Sequence, residues 1–148
     1  MGSHLLYQLC SESDHIRAIY RSNSDLEAVK KVFSYYTEDF DALFDKIEWI
    51  ESDVNDVYTL ESAFENILYV YHVAALVSFD PRDYKHMRKI NIEGTANIVN
   101  FCIAKSVRKL CYVSSVATLE KRINEGRIDE QSEWSSKNYK TGYSITKY

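Results

Sequence analysis

Glycine and proline are scarce in this chain, with four glycines and one proline among 148 residues. So little punctuation excludes collagen-like, linker-like or low-complexity organisation and leaves few sites for tight turns. The three cysteines, Cys10, Cys102 and Cys111, form an odd set without C-x-x-C spacing. That pattern argues against a disulfide framework and against a zinc site. No apolar run approaches the ~18 residues of a membrane span, and the opening MGSHLLYQLC lacks the basic and apolar regions of a signal peptide. A cytoplasmic protein without a membrane partner is expected. Neither charge sign dominates: 18 Lys and Arg stand against 22 Asp and Glu, for a net charge of −4. The basic residues are interspersed with acidic ones, which excludes the basic footprint of a nucleic-acid partner.

What is present is a hydrophobic content of 45%, enough for one domain with a real core. Ile16–Tyr20 and Ile47–Glu51 are short β-rich segments, and Tyr69–Ala75 and Lys109–Ser114 are nearly continuous apolar runs. All four read as strands, the last two buried on both faces. Helical patterns lie between them at Asp25–Tyr36, Asp56–Asn66 and the long Asp83–Ala104, where Ile90, Ala96 or Thr95, Val99 and Ile103 recur. Strands alternating with helices predict a parallel sheet with helices on both faces. The polar stretch 120–140 reads as a long surface loop.

The sharpest chemical signal is Tyr143-Ser-Ile-Thr-Lys147. A spacing of four puts both side chains on one face of a helix, one turn apart. Upstream, Ser114 and Ser115 end the run KLCYVSS, at the carboxyl edge of a parallel sheet where ligands bind. Either motif alone is common; a serine pair ending a strand and a Y-x-x-x-K 28 residues after Ser115 occur together far less often. His4 and His72 have no Cys, Asp or Glu cluster at ligand spacing, so they read as packing or surface residues, and no metal is expected. The tyrosines lack a basic groove and read as packing.

These residues resemble the extended short-chain dehydrogenase/reductase family of NAD(P)-dependent epimerases, dehydratases and dihydroflavonol-reductase-like enzymes. Gly2-Ser3-His4-Leu5 resembles the last glycine and following helix of its phosphate loop. Asp53-Val54 resembles the adenine-contacting acid and its neighbour. His72-Val-Ala74-Ala75 resembles the segment over which the cofactor lies, and Asn91-Ile-Glu-Gly94-Thr95-Ala-Asn97 resembles the N-x-x-G-T-x-N helix motif. The resemblance implies an α/β, Rossmann-type doubly wound parallel sheet and an NAD(P)-dependent oxidoreductase or epimerase acting on a carbonyl or nucleotide-sugar carbon of a small molecule. It makes Tyr143 the general acid/base. Lys147 would support the tyrosine and hold the nicotinamide ribose, and Ser115 would orient the reacting oxygen, with Ser114 the alternative. Gly2, Arg21, Asp53, Val54, Ala74, Ala75, Asn91, Tyr143 and Lys147 become the expected cofactor-binding residues. Arg21 directly follows the second-strand position, where a guanidinium suits the 2′-phosphate of NADP and a carboxylate the ribose of NAD, so NADP is favoured slightly over NAD.

The chain departs from the family at both ends: it starts at the third glycine, without the first strand, and stops just after Lys147. Residues 1–148 are therefore expected to be a partial Rossmann domain lacking the first strand and the C-terminal substrate region, from a parent that could be a homodimer. MGSH as a vector scar is the competing reading of the start. The alternative functions are a non-catalytic Rossmann binding module and an inactive fragment of such an enzyme.

Overall fold

The computed structural model describes residues 1–13, 15–119, 128–132, 134 and 141–148. Most of the expected loop at 120–140 lies outside the described residues. The chain forms two units, Met1–Asn66 and Ile67–Tyr148, each built on one parallel strand pair.

The first unit runs α1 (Gly2–Glu12), β1 (Ile16–Tyr20), α2 (Leu26–Phe33), α3 (Phe40–Asp45), β2 (Ile47–Glu51) and α4 (Val57–Ala63). Strand β1 pairs with β2 in register from Ile16↔Ile47 to Tyr20↔Glu51. Both strands keep the bounds that their sequence pattern predicts. On one face Cys10, Phe33 and Ile47 form a buried core, joined by Leu6, Tyr7, Ile16, Ala18, Phe44 and Trp49. Arg17 has the opposite parity along β1, and its guanidinium reaches the last turn of α4. Helices α2 and α4 start where acids can cap them: Asp25 accepts from the Ala28 amide at 2.9 Å, and Asp56 accepts from the Tyr58 amide at 3.1 Å. Both helices stop short of their expected ends at Tyr36 and Asn66. Phe64 already leaves helical geometry after α4, and Asn66 turns left-handed at φ 60°. Asparagine tolerates this conformation, so the turn is made without glycine.

The second unit runs β3 (Tyr69–His72), α5 (Tyr84–Met87), a π-helical stretch Arg88–Gly94, α6 (Thr95–Ala104), β4 (Lys109–Tyr112) and α7 (Gly142–Lys147), with short 3₁₀ turns at Pro81–Asp83 and Val116–Thr118. Strand β3 pairs with β4 from Tyr69↔Lys109 to His72↔Tyr112. Three expectations need correction here. Both strands are shorter than their apolar runs, because after His72 and Tyr112 the chain leaves the ladder to build the segments that carry Ala74, Ala75 and the serines. They are also not buried on both faces. Exposure alternates with the pleat: Tyr69, Tyr71, Lys109 and Cys111 are exposed, whereas Val70, His72, Leu110 and Tyr112 are covered. Finally, the long helix at 83–104 is not continuous. The π-helical stretch widens its turn, and the stripe that becomes buried is Asn91, Gly94, Ile98 and Cys102 rather than one through Val99 and Ile103.

Candidate functional site

The second unit gathers buried polar side chains around α7. Thr141 caps this helix, its hydroxyl accepting from the Ser144 amide at 3.1 Å. Gly142 lets the helix approach α5 closely, since a Cβ there would stand 2.9 Å from Met87 Cε and 3.0 Å from Tyr84 Cδ2. Thr146 and Lys147 are buried at 2% and 1% exposure, and Tyr143 is half-buried.

Asn91 ties α7 to the segment after β3. Its amide nitrogen donates to the Leu76 carbonyl at 2.9 Å and to Thr146 Oγ1 at 3.0 Å, while its oxygen accepts from the Leu76 amide at 2.7 Å. It sits in the π-helical stretch, whose wider turn is a frequent feature of functional sites. Its side chain thus holds Leu76, the residue that follows the exposed Ala74 and Ala75, against the helix that carries Tyr143 and Lys147.

Lys147 is the unusual member. Among the described residues its ammonium has no hydrogen-bond partner, although it is fully buried. It lies 4.2 Å above the Tyr112 ring. The Lys147 backbone is held as well, its carbonyl accepting from Ser114 Oγ at 3.2 Å and from the Tyr112 hydroxyl at 3.4 Å. His72, 4% exposed, stacks on Tyr112 with centroids 5.6 Å apart and bonds Thr95 Oγ1 through Nε2 at 2.8 Å. Burial pushes the His72 imidazole down to about 4, helped by the positive charge of Lys147. This histidine is therefore neutral at ordinary pH.

The two serines are divided by role. Ser114 is engaged with the Lys147 carbonyl, whereas Ser115 caps the 3₁₀ turn Val116–Thr118 by accepting from the Ala117 amide at 3.2 Å. That turn packs against α7, which brings Ser115 and the Tyr143–Lys147 helix into one neighbourhood. Four expected cofactor residues belong to the first unit. Gly2 opens α1, whose first turn carries no acid. Arg21 is exposed after β1, its backbone amide donating to Ser24 Oγ at 3.0 Å. Asp53 Oδ1 accepts from the Asn55 amide at 2.8 Å in a turn after β2, and Val54 is buried beside it. Sequence reasoning did not single out Tyr112 or Thr146. Tyr112 was findable as an inward position of a strand ending three residues before Ser115; no pattern marks Thr146.

A nicotinamide dinucleotide fits the second unit on one physical ground: a buried ammonium with uncommitted donors is costly unless a polar ligand completes it, and ribose hydroxyls are such a ligand. Comparison with known proteins agrees. Residues 1–148 match the NAD-binding family model described as "Male sterility protein". The chain is 28% identical over 137 residues to dihydroflavonol 4-reductase of Callistephus chinensis, covering 91% of this chain and 36% of the reductase. It superposes on the terminal R domain from the myxalamid PKS-NRPS biosynthetic pathway with a TM-score of 0.77 at 29% identity, covering 99% of this chain and 40% of that one. The Bordetella bronchiseptica enzyme WbmG, solved with NAD and UDP, shares the fold at a TM-score of 0.74 and 22% identity, with 99% and 43% covered. The chain thus spans well under half the length of these three relatives, and its parallel strands and helices are those of their Rossmann-like α/β fold. It belongs to this NAD-binding family, within the extended short-chain dehydrogenases/reductases.

Proposed function

We propose that this chain is the nicotinamide-binding and proton-transfer part of an NAD(P)-dependent oxidoreductase or epimerase acting on a carbonyl or nucleotide-sugar carbon. The observation that carries this reading is the buried Lys147 ammonium, without a hydrogen-bond partner among the described residues, one helical turn from Tyr143. The bound dinucleotide supplies or accepts the hydride. As a carbonyl carbon is reduced, the Tyr143 hydroxyl gives its proton to the carbonyl oxygen, and in the reverse direction the phenolate takes the alcohol proton. Lys147 supports the Tyr143 phenolate by its charge and would hold the nicotinamide ribose through N–H donors that are uncommitted among the described residues. Ser115 keeps its own O–H after capping its turn, so it can donate to the same substrate oxygen. Asn91 positions the helix and the Ala74–Ala75 segment rather than reacting.

Arg21 favours NADP in this reading, because an exposed guanidinium after β1 suits a 2′-phosphate. Unequal affinities for NADPH and NADH that become equal in Arg21→Ala support that preference.

Tyr143→Phe tests the mechanism. Turnover with NADPH and a carbonyl substrate falls by about 10² to 10⁴, the usual worth of general acid/base catalysis, while NADPH affinity stays unchanged. A variant that retains most of its turnover overturns the assignment.

A further inference from the structure

We propose that Tyr112 is the positioning residue for Lys147, gripping it at both ends: its ring holds the ammonium and its hydroxyl holds the backbone carbonyl. This deepens the proposed function and rests on it, because it concerns how the lysine of that site is kept in place.

A lysine buried this deeply is usually neutralised by a carboxylate. None pairs with Lys147 among the described residues, and its Nζ accepts no help from a carbonyl or hydroxyl. The ammonium instead lies over the face of Tyr112, 4.2 Å away and well inside the ~6 Å range of cation–π attraction. A ring differs from a carboxylate in what it leaves behind. It stabilises the ammonium without cancelling its charge and without fixing its N–H bonds in particular directions. Charge and free donors are what proton transfer and ribose binding require of this lysine.

The ring is itself fixed. Tyr112 ends β4 at an inward position, opposite His72 in the ladder. His72 stacks on it and is anchored to Thr95. The Tyr112 and Ser114 hydroxyls both donate to the Lys147 carbonyl, so the end of the helix cannot slide along the strand without losing them. His72 remains neutral near pH 7 and so does not compete with the ammonium for the ring.

The test uses this chain with ¹³C-labelled lysine ε-carbons, the Lys147 signal being assigned by its loss in Lys147→Arg. The Lys147 ε-protons should lie upfield of every other lysine because of the Tyr112 ring current. Tyr112→Phe should keep that displacement, and Tyr112→Leu should abolish it. A Lys147 signal among the exposed lysines, or one that Tyr112→Leu leaves in place, overturns the proposal. Titration with NADPH provides the second readout. Tyr112→Leu should weaken binding roughly fivefold to thirtyfold, the worth of a desolvated cation–π contact, and Tyr112→Phe should retain affinity close to wild type. If the leucine variant does not fold, phenylalanine and its successively fluorinated analogues at position 112 keep the shape while weakening the ring quadrupole. Affinity should then fall stepwise with fluorination; a flat series overturns the proposal. Wild-type protein that shows the ring-current signature but binds neither NADPH nor NADH defeats the proposed function, and the positioning role is then decided by the spectrum alone.

Discussion

Each unit buries one side-chain donor that finds no partner among the described residues: the Trp49 indole N–H in the first and the Lys147 ammonium in the second. The two cost very different amounts. An indole among Phe44, Tyr20 and the α3 side chains forgoes one neutral hydrogen bond, whereas a buried cation forgoes its whole hydration shell. Two cations of the first unit are paired within it. Arg17 forks onto Glu48 through Nε and Nη2 at 2.9 and 3.0 Å, and its Nη1 donates to the carbonyls of Ser62, Ala63 and Glu65. Lys30 pairs with Asp41 over the rings of Phe40 and Phe44. The second unit instead accumulates buried polar groups, His72, Asn91, Ser144, Thr146 and Lys147. The contrast separates a unit whose polar groups serve stability from one that, under the proposed function, forgoes stability to keep a charge available.

Arg17 should give the largest response to that contrast. Arg17→Met takes a donor from the Ser62, Ala63 and Glu65 carbonyls, of which Ser62 keeps the Glu65 amide, and should cost about 3 kcal/mol in urea unfolding, about 1 kcal/mol for each carbonyl bond. A loss below about 1 kcal/mol would show the fork to be an ordinary surface pair.

His72 sharpens the comparison through pH. Its folded value of about 4 lies below the ordinary 6.5, so the unfolded chain binds the extra proton between these limits. Its contribution is therefore fully present above pH 6.5 and is lost as pH falls toward 4, by up to about 3 kcal/mol. His72→Gln should flatten the stability curve over that window. A wild-type curve no steeper than the variant's would mean that His72 takes up its proton in the folded protein.

Lys147 should respond in the opposite sense to Arg17. Lys147→Met removes a buried charge that has no ion-pair partner among the described residues, and should stabilise the chain by about 1 to 3 kcal/mol while weakening NADPH binding. Destabilisation of the same size would mean that the ammonium is paired in solution and that the two units do not differ as described.

The contrast also explains what could be read in advance. Strands β1 and β2 were legible to the residue because the polar and charged residues around Ile16–Tyr20 and Ile47–Glu51 break the pattern sharply. In β3 and β4 the apolar runs continue past the ladder through Val73-Ala74-Ala75-Leu76 and Val113, so their ends were not marked. The π-helical turn was hidden because widening one turn changes which side chains face inward without changing which residues are apolar. That Tyr143 and Lys147 share one helix was legible from their spacing, although the pair stood out only together with the serines upstream. That Lys147 is buried against Tyr112, or that Arg17 closes the end of α4, depends on contacts across 35 and about 45 positions of chain, which local pattern does not encode.

The smallest expected effect concerns one of the scarce glycines. Gly142 has ordinary helical surroundings, yet an added methyl would meet Met87 Cε at 2.9 Å and Tyr84 Cδ2 at 3.0 Å. Met87 is flexible and can shift, while the Tyr84 ring on α5 yields less easily, so the crowding should exceed the helix-propensity gain of alanine over glycine. Gly142→Ala should therefore cost about 1 kcal/mol in urea unfolding. It should also weaken NADPH binding, because pushing α7 away from α5 strains the Asn91–Thr146 bond one turn along. Tyr84→Leu removes the ring edge that yields least, and Met87 can shift, so in that background Gly142→Ala should become neutral or stabilising. If the double variant shows no such rescue, the glycine is there for some reason other than the close approach of the two helices, and the packing that seats Lys147 does not begin at its first residue.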